Sequence, residues 1–397
     1  MSPHLYHLTL SPSTNYTHSA TGRFTPGQAS LALATETHIR LFSVSEGEFA
    51  PITPRLALCA TITALCTVPR TDHPDLLLVL SDSGNPTLLE YSAAEGTGTG
   101  TGQLVAVAAE PLCRSGVRRS SPQQYAAADP SGHALLLAAV QTAACMYQMQ
   151  YAPNATLGSP LEAARPECIT LALEACHNTA YPTFATLEVP LAQAQAQAQA
   201  RLGTSLAFYS LEPNLHTAVR GNARHFHGAA SFLLGLQGGG NCLVALGFPG
   251  HVVVTDMQGD VTIELPLPGR NDTVVCGVST GRITLLQTSV GELLRLDVGE
   301  RDARGVAPAS LRHFDTLPVC SALHVMGSGY LVAVGEGDVQ LLQFESLGTE
   351  GEGEGASPPP SGLATSAANA TEARLATEAR LRVPLAHLSL TDTLASL

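Results

Sequence analysis

Arg114, Arg118 and Arg119 form the only basic cluster in the chain. Guanidinium groups so close together can pair with acids and cap main-chain carbonyls where a strand unit begins. They can also dock an acidic loop of another protein, or neutralise phosphates of an RNA backbone. The first reading is the ordinary one. Protein contact comes next and RNA last, because three arginines on an acidic body supply only a small electrostatic attraction.

The other candidate groups are weaker. His225 and His227 (HFH) alternate and would share one strand face, a spacing a metal could use, whereas His4 and His7 would fall on opposite faces. Neither pair has a cysteine or carboxylate at a recognised zinc distance, so polar strand residues are the reading and no metal is expected. Asp82, Asp256 and Glu336 stand near equivalent turns of different repeats, where acids could converge as a metal cradle or an acid–base pair. Their turn positions fit local Asx hydrogen bonding better. The glycines of Gly238–Gly240 and Gly327–Gly329 match no phosphate-binding loop and read as turns; Ser205 lacks a nucleophile-elbow context. The expectation is a non-enzymatic chain without cofactor or small-molecule substrate.

These residues must be carried by strands. A strand–turn–strand unit recurs seven times, at Leu31–Val44, Leu76–Tyr91, Ala134–Met149, Thr183–Leu211, Leu243–Met257, Arg282–Val298 and Tyr330–Glu345. Starts fall roughly 40–60 residues apart, the period of a four-stranded blade repeated about an axis. Each unit has a Leu- or β-branched run, a turn with Gly, Asp, Asn or Pro, then a second run that often alternates. Further apolar runs, such as Ile62–Val68, Gln124–Ala128 and Val319–Met326, could be the innermost strand of the following blade. The expected fold is all-β: a seven-bladed propeller, WD-repeat-like or YVTN-like, with a short C-terminal extension. A propeller hydrolase or lactonase is the alternative of another class, and it would need an axial metal or carboxylate cluster.

The 397 residues carry a net charge of −13, and every one of the 20 Lys or Arg positions is arginine. An acidic chain lacks the basic stripe of an autonomous nucleic-acid binder. Nine scattered cysteines, with no C-x-x-C pair, read as buried free thiols in a reducing compartment. Four glycosylation sequons, at Asn15, Asn154, Asn271 and Asn369, argue only weakly for secretion in a Ser/Thr-rich chain. The opening MSPHLYHLTL has neither a basic start nor a signal-length apolar core, and no apolar run is long enough to cross a bilayer. A soluble intracellular protein, cytosolic or nuclear and without membrane contact, is expected.

Three low-complexity insertions interrupt the pattern: Gly96–Gly102, Ala192–Ala200 and Gly348–Gly362. None can bury enough apolar surface to offset its ordering entropy, so loops or linkers are expected. The domain reading is therefore 1–347 propeller, 348–382 acidic and Pro-rich linker with a short helical stretch in Ala364–Arg382, and 383–397 the start of a second propeller.

Several runs resemble one family. LYHLTL at Leu5–Leu10 and SATGRF at Ser19–Phe24 look like the opening of the third, large subunit of splicing factor 3b. SDSG at Ser81–Gly84, LEY at Leu89–Tyr91, RSGVRRSSPQQYAAADPSG at Arg114–Gly132, SPLEA at Ser159–Ala163 and FDTLPV at Phe314–Val319 follow in the family's order. The LEY and Asp-Pro features are shared with two relatives, the damaged-DNA-binding ubiquitin-ligase adaptor and the large cleavage-and-polyadenylation specificity subunit. The RSG-x-RR-x-x-P and FDT-x-PV runs look specific to the splicing member. The insertions, the absence of lysine and the Ala-rich strands depart from the pattern.

The resemblance covers about the first third of the family, whose members carry three propellers and a helical region. It implies that Leu5–Leu10 docks on the third propeller. It further implies a scaffold subunit of the U2 snRNP that supports branch-site recognition in pre-mRNA splicing. The implied partners are the HEAT-repeat branch-site subunit and a very small accessory subunit, with pre-mRNA and U2 snRNA reached only indirectly. A ubiquitin-ligase adaptor or a cleavage and polyadenylation subunit of the same superfamily is the alternative.

Overall fold

The run Leu76–Ser81 is apolar along its whole length, and the fold buries both of its faces. Leu76, Leu78 and Leu80 enter one core, while Leu77 and Val79 enter another. A strand covered on both sides must lie in a sheet between two other sheets. That condition recurs around the molecule.

The structure, a computed structural model, describes residues 15–45, 48–82, 85–93, 102–110, 112, 124–152, 154–191, 203–212, 214, 216–238, 242–299, 308–327, 329–335, 337–346 and 374–382. Its strands form seven antiparallel sheets, each made of consecutive strands, as a seven-bladed propeller requires.

Blade 1 holds β1 (His18–Thr25), β2 (Gln28–Ala34), β3 (His38–Ser45) and β4 (Glu48–Pro51), with β5 (Leu56–Ala57) also on β3. Blade 2 holds β6 (Ile62–Val68), β7 (Leu76–Ser81), β8 (Thr87–Ser92) and β9 (Gln103–Ala109). Blade 3 holds β10 (Tyr125–Ala128), β11 (Ala134–Ala138) and β12 (Ala143–Gln150), whose outer edge pairs with both β13 (Thr156–Leu157) and β14 (Leu161–Ala164). Blade 4 is built alike, from β15 (Cys168–Ala175), β16 (Thr183–Pro190), β17 (Thr204–Leu211), β18 (Ala218–Arg220) and β19 (Arg224–Phe226). Blade 5 comprises β20 (Phe232–Leu236), β21 (Leu243–Phe248), β22 (His251–Asp256) and β23 (Thr262–Pro266). Blade 6 comprises β24 (Val274–Ser279), β25 (Thr284–Thr288), β26 (Glu292–Val298) and β27 (Ala309–Thr316). Blade 7 comprises β28 (Ala322–Met326), β29 (Tyr330–Val334), β30 (Asp338–Ser346) and β31 (Arg374–Arg382).

The first strand of each blade touches the first strand of the next, and β28 returns to β1 to close the ring. A hydrogen bond of 2.7 Å between Ser19 Oγ and His324 Nε2 spans this seam. Seven apolar clusters sit one between each neighbouring pair of blades, so no blade has a core of its own. Fully burying a Leu or Val side chain is worth about 1.5–3 kcal/mol, which makes the interfaces between blades the source of stability.

Inner strands must twist strongly to fit around an axis. β1, β6, β15 and β24 each carry a register irregularity, and a bulge of this kind increases twist. Close approach is solved by glycine: Gly132, at φ 74°, would place a Cβ 1.9 Å from the carbonyl oxygen of Pro69 in the neighbouring blade.

The helical stretch expected within Ala364–Arg382 is corrected by the structure, in which Arg374–Arg382 is strand β31 paired antiparallel to β30. Local propensity in RLATEARLR favours helix, but the open edge of β30 offers a full ladder of main-chain partners, and that tertiary demand prevails. Blade 7 thus draws its outermost strand from beyond Leu347. The runs Leu5–Leu10, Gly348–Gly362 and Val383–Leu397 lie outside the described residues.

Candidate functional site

Consecutive antiparallel strands put the connections of every blade alternately at its two ends. One face of the ring collects the turns between second and third strands and the links from blade to blade. The opposite face collects the remaining turns. Asp82 follows β7 and belongs to the first face; Asp256 ends β22 and belongs to the second. They therefore cannot converge. Asp82 Oδ1 accepts from the Thr61 amide at 3.0 Å, and Asp256 Oδ1 accepts from the Gly259 and Val261 amides at 2.7 and 3.2 Å. Those of Asp256 are the local turn bonds the sequence suggested, whereas Asp82 ties its turn to the link before β6 instead; Glu336 lies outside the described residues.

His225 sits on β19 with Nδ1 at 2.7 Å from Ser205 Oγ. Among the described residues no group of three or more His, Cys, Asp or Glu side chains is arranged to hold a metal. Arg114, Arg118 and Arg119 fall between β9 and β10, outside the described residues, as do His4 and His7.

The densest polar cluster lies where blade 4 meets blade 3, and nothing in the residue spacing announced it. Arg165 is buried in the link between β14 and β15. It donates from Nη2 to Val140 O of blade 3 at 2.5 Å and from Nη1 to Thr170 Oγ1 at 2.8 Å. Glu188 on β16 accepts at Oε1 from Tyr209 OH (2.7 Å) and Thr186 Oγ1 (3.0 Å), and at Oε2 from Arg220 Nη2 (2.8 Å). Burial pushes the Glu188 carboxyl up, but the hydrogen bonds from Tyr209 and Arg220 and the charge of Arg165 outweigh it and hold the pKa below the ordinary value. Satisfied on so many sides, the cluster is a structural rivet and offers no reactive group.

Two inner-strand residues are perturbed without a charged partner, although His324 Nε2 is bonded to Ser19 Oγ across the seam. Burial raises Glu174 on β15 to about 7 and lowers His324 on β28 to about 4. Glu174 therefore begins to ionise only as pH nears neutrality, whereas the His324 imidazole stays neutral there.

Among the described residues both faces expose individual apolar side chains. On the first face Val290 and Val319 are exposed. The Leu317 amide donates to Gly291 O at 2.9 Å, which brings the turn of Val290 beside the link of Val319. A cavity of ≈ 580 Å³ opens beside Val319, lined also by Pro318, Cys320, Ala333 and Gln340. Gln287 holds this link in place: its Nε2 donates to Leu317 O (3.2 Å) and Pro318 O (3.0 Å), and its Oε1 accepts from the Cys320 amide at 3.0 Å. The FDTLPV run is thereby pinned to the ring. On the other face Tyr181 and Met257 are exposed beside a groove of ≈ 350 Å³ between blades 4 and 5. Such surfaces can dock apolar side chains of a partner.

Comparison with known proteins agrees with this architecture. The family model described as the RSE1/DDB1/CPSF1 first beta-propeller matches residues 15–395. The pre-mRNA-splicing factor RSE1 of Saccharomyces cerevisiae is 30% identical over 399 residues, covering 87% of this chain and 29% of that protein. RSE1 of Eremothecium gossypii is 30% identical over 404 residues, covering 88% and 30%. Splicing factor 3B subunit 3 of Drosophila melanogaster is 27% identical over 373 residues, covering 87% and 30%. The chain spans about three tenths of the length of these relatives. With a seven-bladed ring and a family match running through all seven blades, the chain belongs to the RSE1/DDB1/CPSF1 first-propeller family.

Proposed function

We propose that this chain is the first propeller of a non-enzymatic scaffold subunit of the splicing factor 3b complex, acting in the nucleus within the U2 snRNP to support branch-site recognition in pre-mRNA splicing. The observation that carries the reading is the 30% identity to a protein named as a pre-mRNA-splicing factor, sustained over 87% of the chain. The physical character of the ring fits it. Among the described residues Asp256 is taken up by its turn and Glu188 by its pairing with Arg165, while apolar side chains such as Val290 and Val319 are left at the rim.

The partners are the HEAT-repeat branch-site subunit and the small accessory subunit, met through loops and faces of the ring. Arg114, Arg118 and Arg119 belong to that contact, and pre-mRNA and U2 snRNA are reached through the protein partners. Segment 348–373 links the strands of the last blade, and 383–397 begins a second ring. Affinity purification of the tagged full-length product from nuclear extract tests the reading. A HEAT-repeat spliceosomal protein and U2 snRNA should co-purify. Recovery of a cullin, or of cleavage and polyadenylation factors, would instead move the assignment to one of the other two branches that share this propeller.

A further inference from the structure

We propose that Cys276 and Cys320 are a thiol pair that a hydroperoxide converts to a disulfide, stapling the link that leads into blade 7 onto blade 6.

The two sulfur atoms lie 3.6 Å apart, although 44 residues separate them in the chain. Both point at one acceptor: Cys320 Sγ lies 2.9 Å and Cys276 Sγ 3.5 Å from Gln287 Oε1. A register shift creates this meeting. Val274 and Cys276 are two residues apart and in a regular strand would face the same side. The irregularity between them in β24 breaks that rule. Val274 therefore packs between blades 5 and 6, and Cys276 packs between blades 6 and 7 against Cys320. A disulfide bond is about 2.0 Å long, so side-chain rotation closing roughly 1.5 Å would complete it.

Access decides the order of events. Cys320 lines the ≈ 580 Å³ cavity beside exposed Val319, and Cys276 does not. The hydrogen bond with Cys320, and then burial, raise the Cys276 thiol far above its ordinary pKa, so it waits as a protonated thiol. Cys320 sulfur attacks the terminal oxygen of the hydroperoxide and the O–O bond breaks. An alcohol leaves, or water when the oxidant is hydrogen peroxide, and Cys320 becomes a sulfenic acid. Cys276 sulfur then attacks Cys320 sulfur. The S–S bond forms, the S–O bond breaks, and the hydroxyl leaves as water with the Cys276 proton. Two thiols lose two electrons in all, and the peroxide gains them. The staple fixes Pro318 and Val319 at the rim, where the ring offers apolar surface.

The test uses the full chain. It is treated with hydrogen peroxide, alkylated, and digested without reductant for mass spectrometry. A cross-linked pair of peptides carrying Cys276 and Cys320 should appear, with equal loss of alkylation at both positions, and dithiothreitol should reverse it. In Cys276→Ala the first step survives and the second cannot occur, so dimedone should trap a sulfenic acid at Cys320. The inference is overturned if the two cysteines oxidise independently or link to other thiols. It is equally overturned if both stay alkylatable under peroxide that oxidises exposed Cys59. The linked peptide from the unaltered chain decides the matter even if the variant fails to fold.

Discussion

Arg165 Nη1 lies 3.3 Å from Glu188 Oε1, with almost none of either side chain reaching water. The pair joins the link into blade 4 with that blade's second strand, and through Val140 O it reaches blade 3. Buried charges this close stabilise a fold only while every member keeps its partner.

Glu188→Ala should therefore cost more than an ordinary surface substitution. It strands Arg165 in the interior and leaves Tyr209 OH without its acceptor, and breaking a buried pair of this kind costs about 3–5 kcal/mol. The Glu188 pKa is depressed on folding, so its contribution is present above the unfolded value of about 4.3 and is lost as pH falls through the folded value. Urea unfolding at neutral and acid pH measures both effects. The deficit of the variant should shrink in acid.

Glu174 and His324 predict opposing slopes. Glu174 is raised to about 7 on folding, so its contribution is full below about 4.3 and is lost as pH rises towards 7. His324 is lowered to about 4, so its contribution is full above about 6.5 and is lost as pH falls. The two nearly cancel in the unaltered chain. Residual solvent contact holds each to about 1–3 kcal/mol. In Glu174→Gln, stability should climb between pH 4 and 6.5; in His324→Gln, it should decline between about pH 4.3 and 7. Flat profiles from denaturant titrations of both variants would contradict this account.

Gln287→Ala should free the FDTLPV link. Two main-chain carbonyls and one amide lose their side-chain partner, at a cost of about 2–5 kcal/mol. Hydrogen exchange should report a faster Cys320 amide, while amides of blades 2 and 3 keep their protection.

Replacing Arg114, Arg118 and Arg119 together by Ala should weaken capture of the HEAT-repeat partner without changing the far-ultraviolet circular dichroism of the ring. If the cluster instead touched RNA, the salt dependence of RNA binding would flatten by a log–log slope of about 2. Binding titrations at several salt concentrations separate the two readings.

The seven hairpins were legible from residue order, because short Leu-rich or β-branched runs and the turn residues between them are local signals. The Leu-rich run that opens Leu76–Tyr91 and the turn residues that follow it read as strand and turn without any knowledge of neighbours. Asp256 as a turn residue followed from the same local chemistry. The strand Arg374–Arg382 was not legible. Its own residues favour helix, and only the unpaired edge of β30 makes it a strand.

The sequence by itself determined the repeat, the number of blades and the family, since each is written in short stretches whose physics is complete within a few residues. Tertiary structure alone decided which side chains meet. Arg165 finds Glu188, Gln287 finds Cys320, and Cys276 turns away from Val274, because a closing ring and a register shift set those positions. Contacts between blades depend on geometry accumulated over many residues, and no spacing along the chain encodes them.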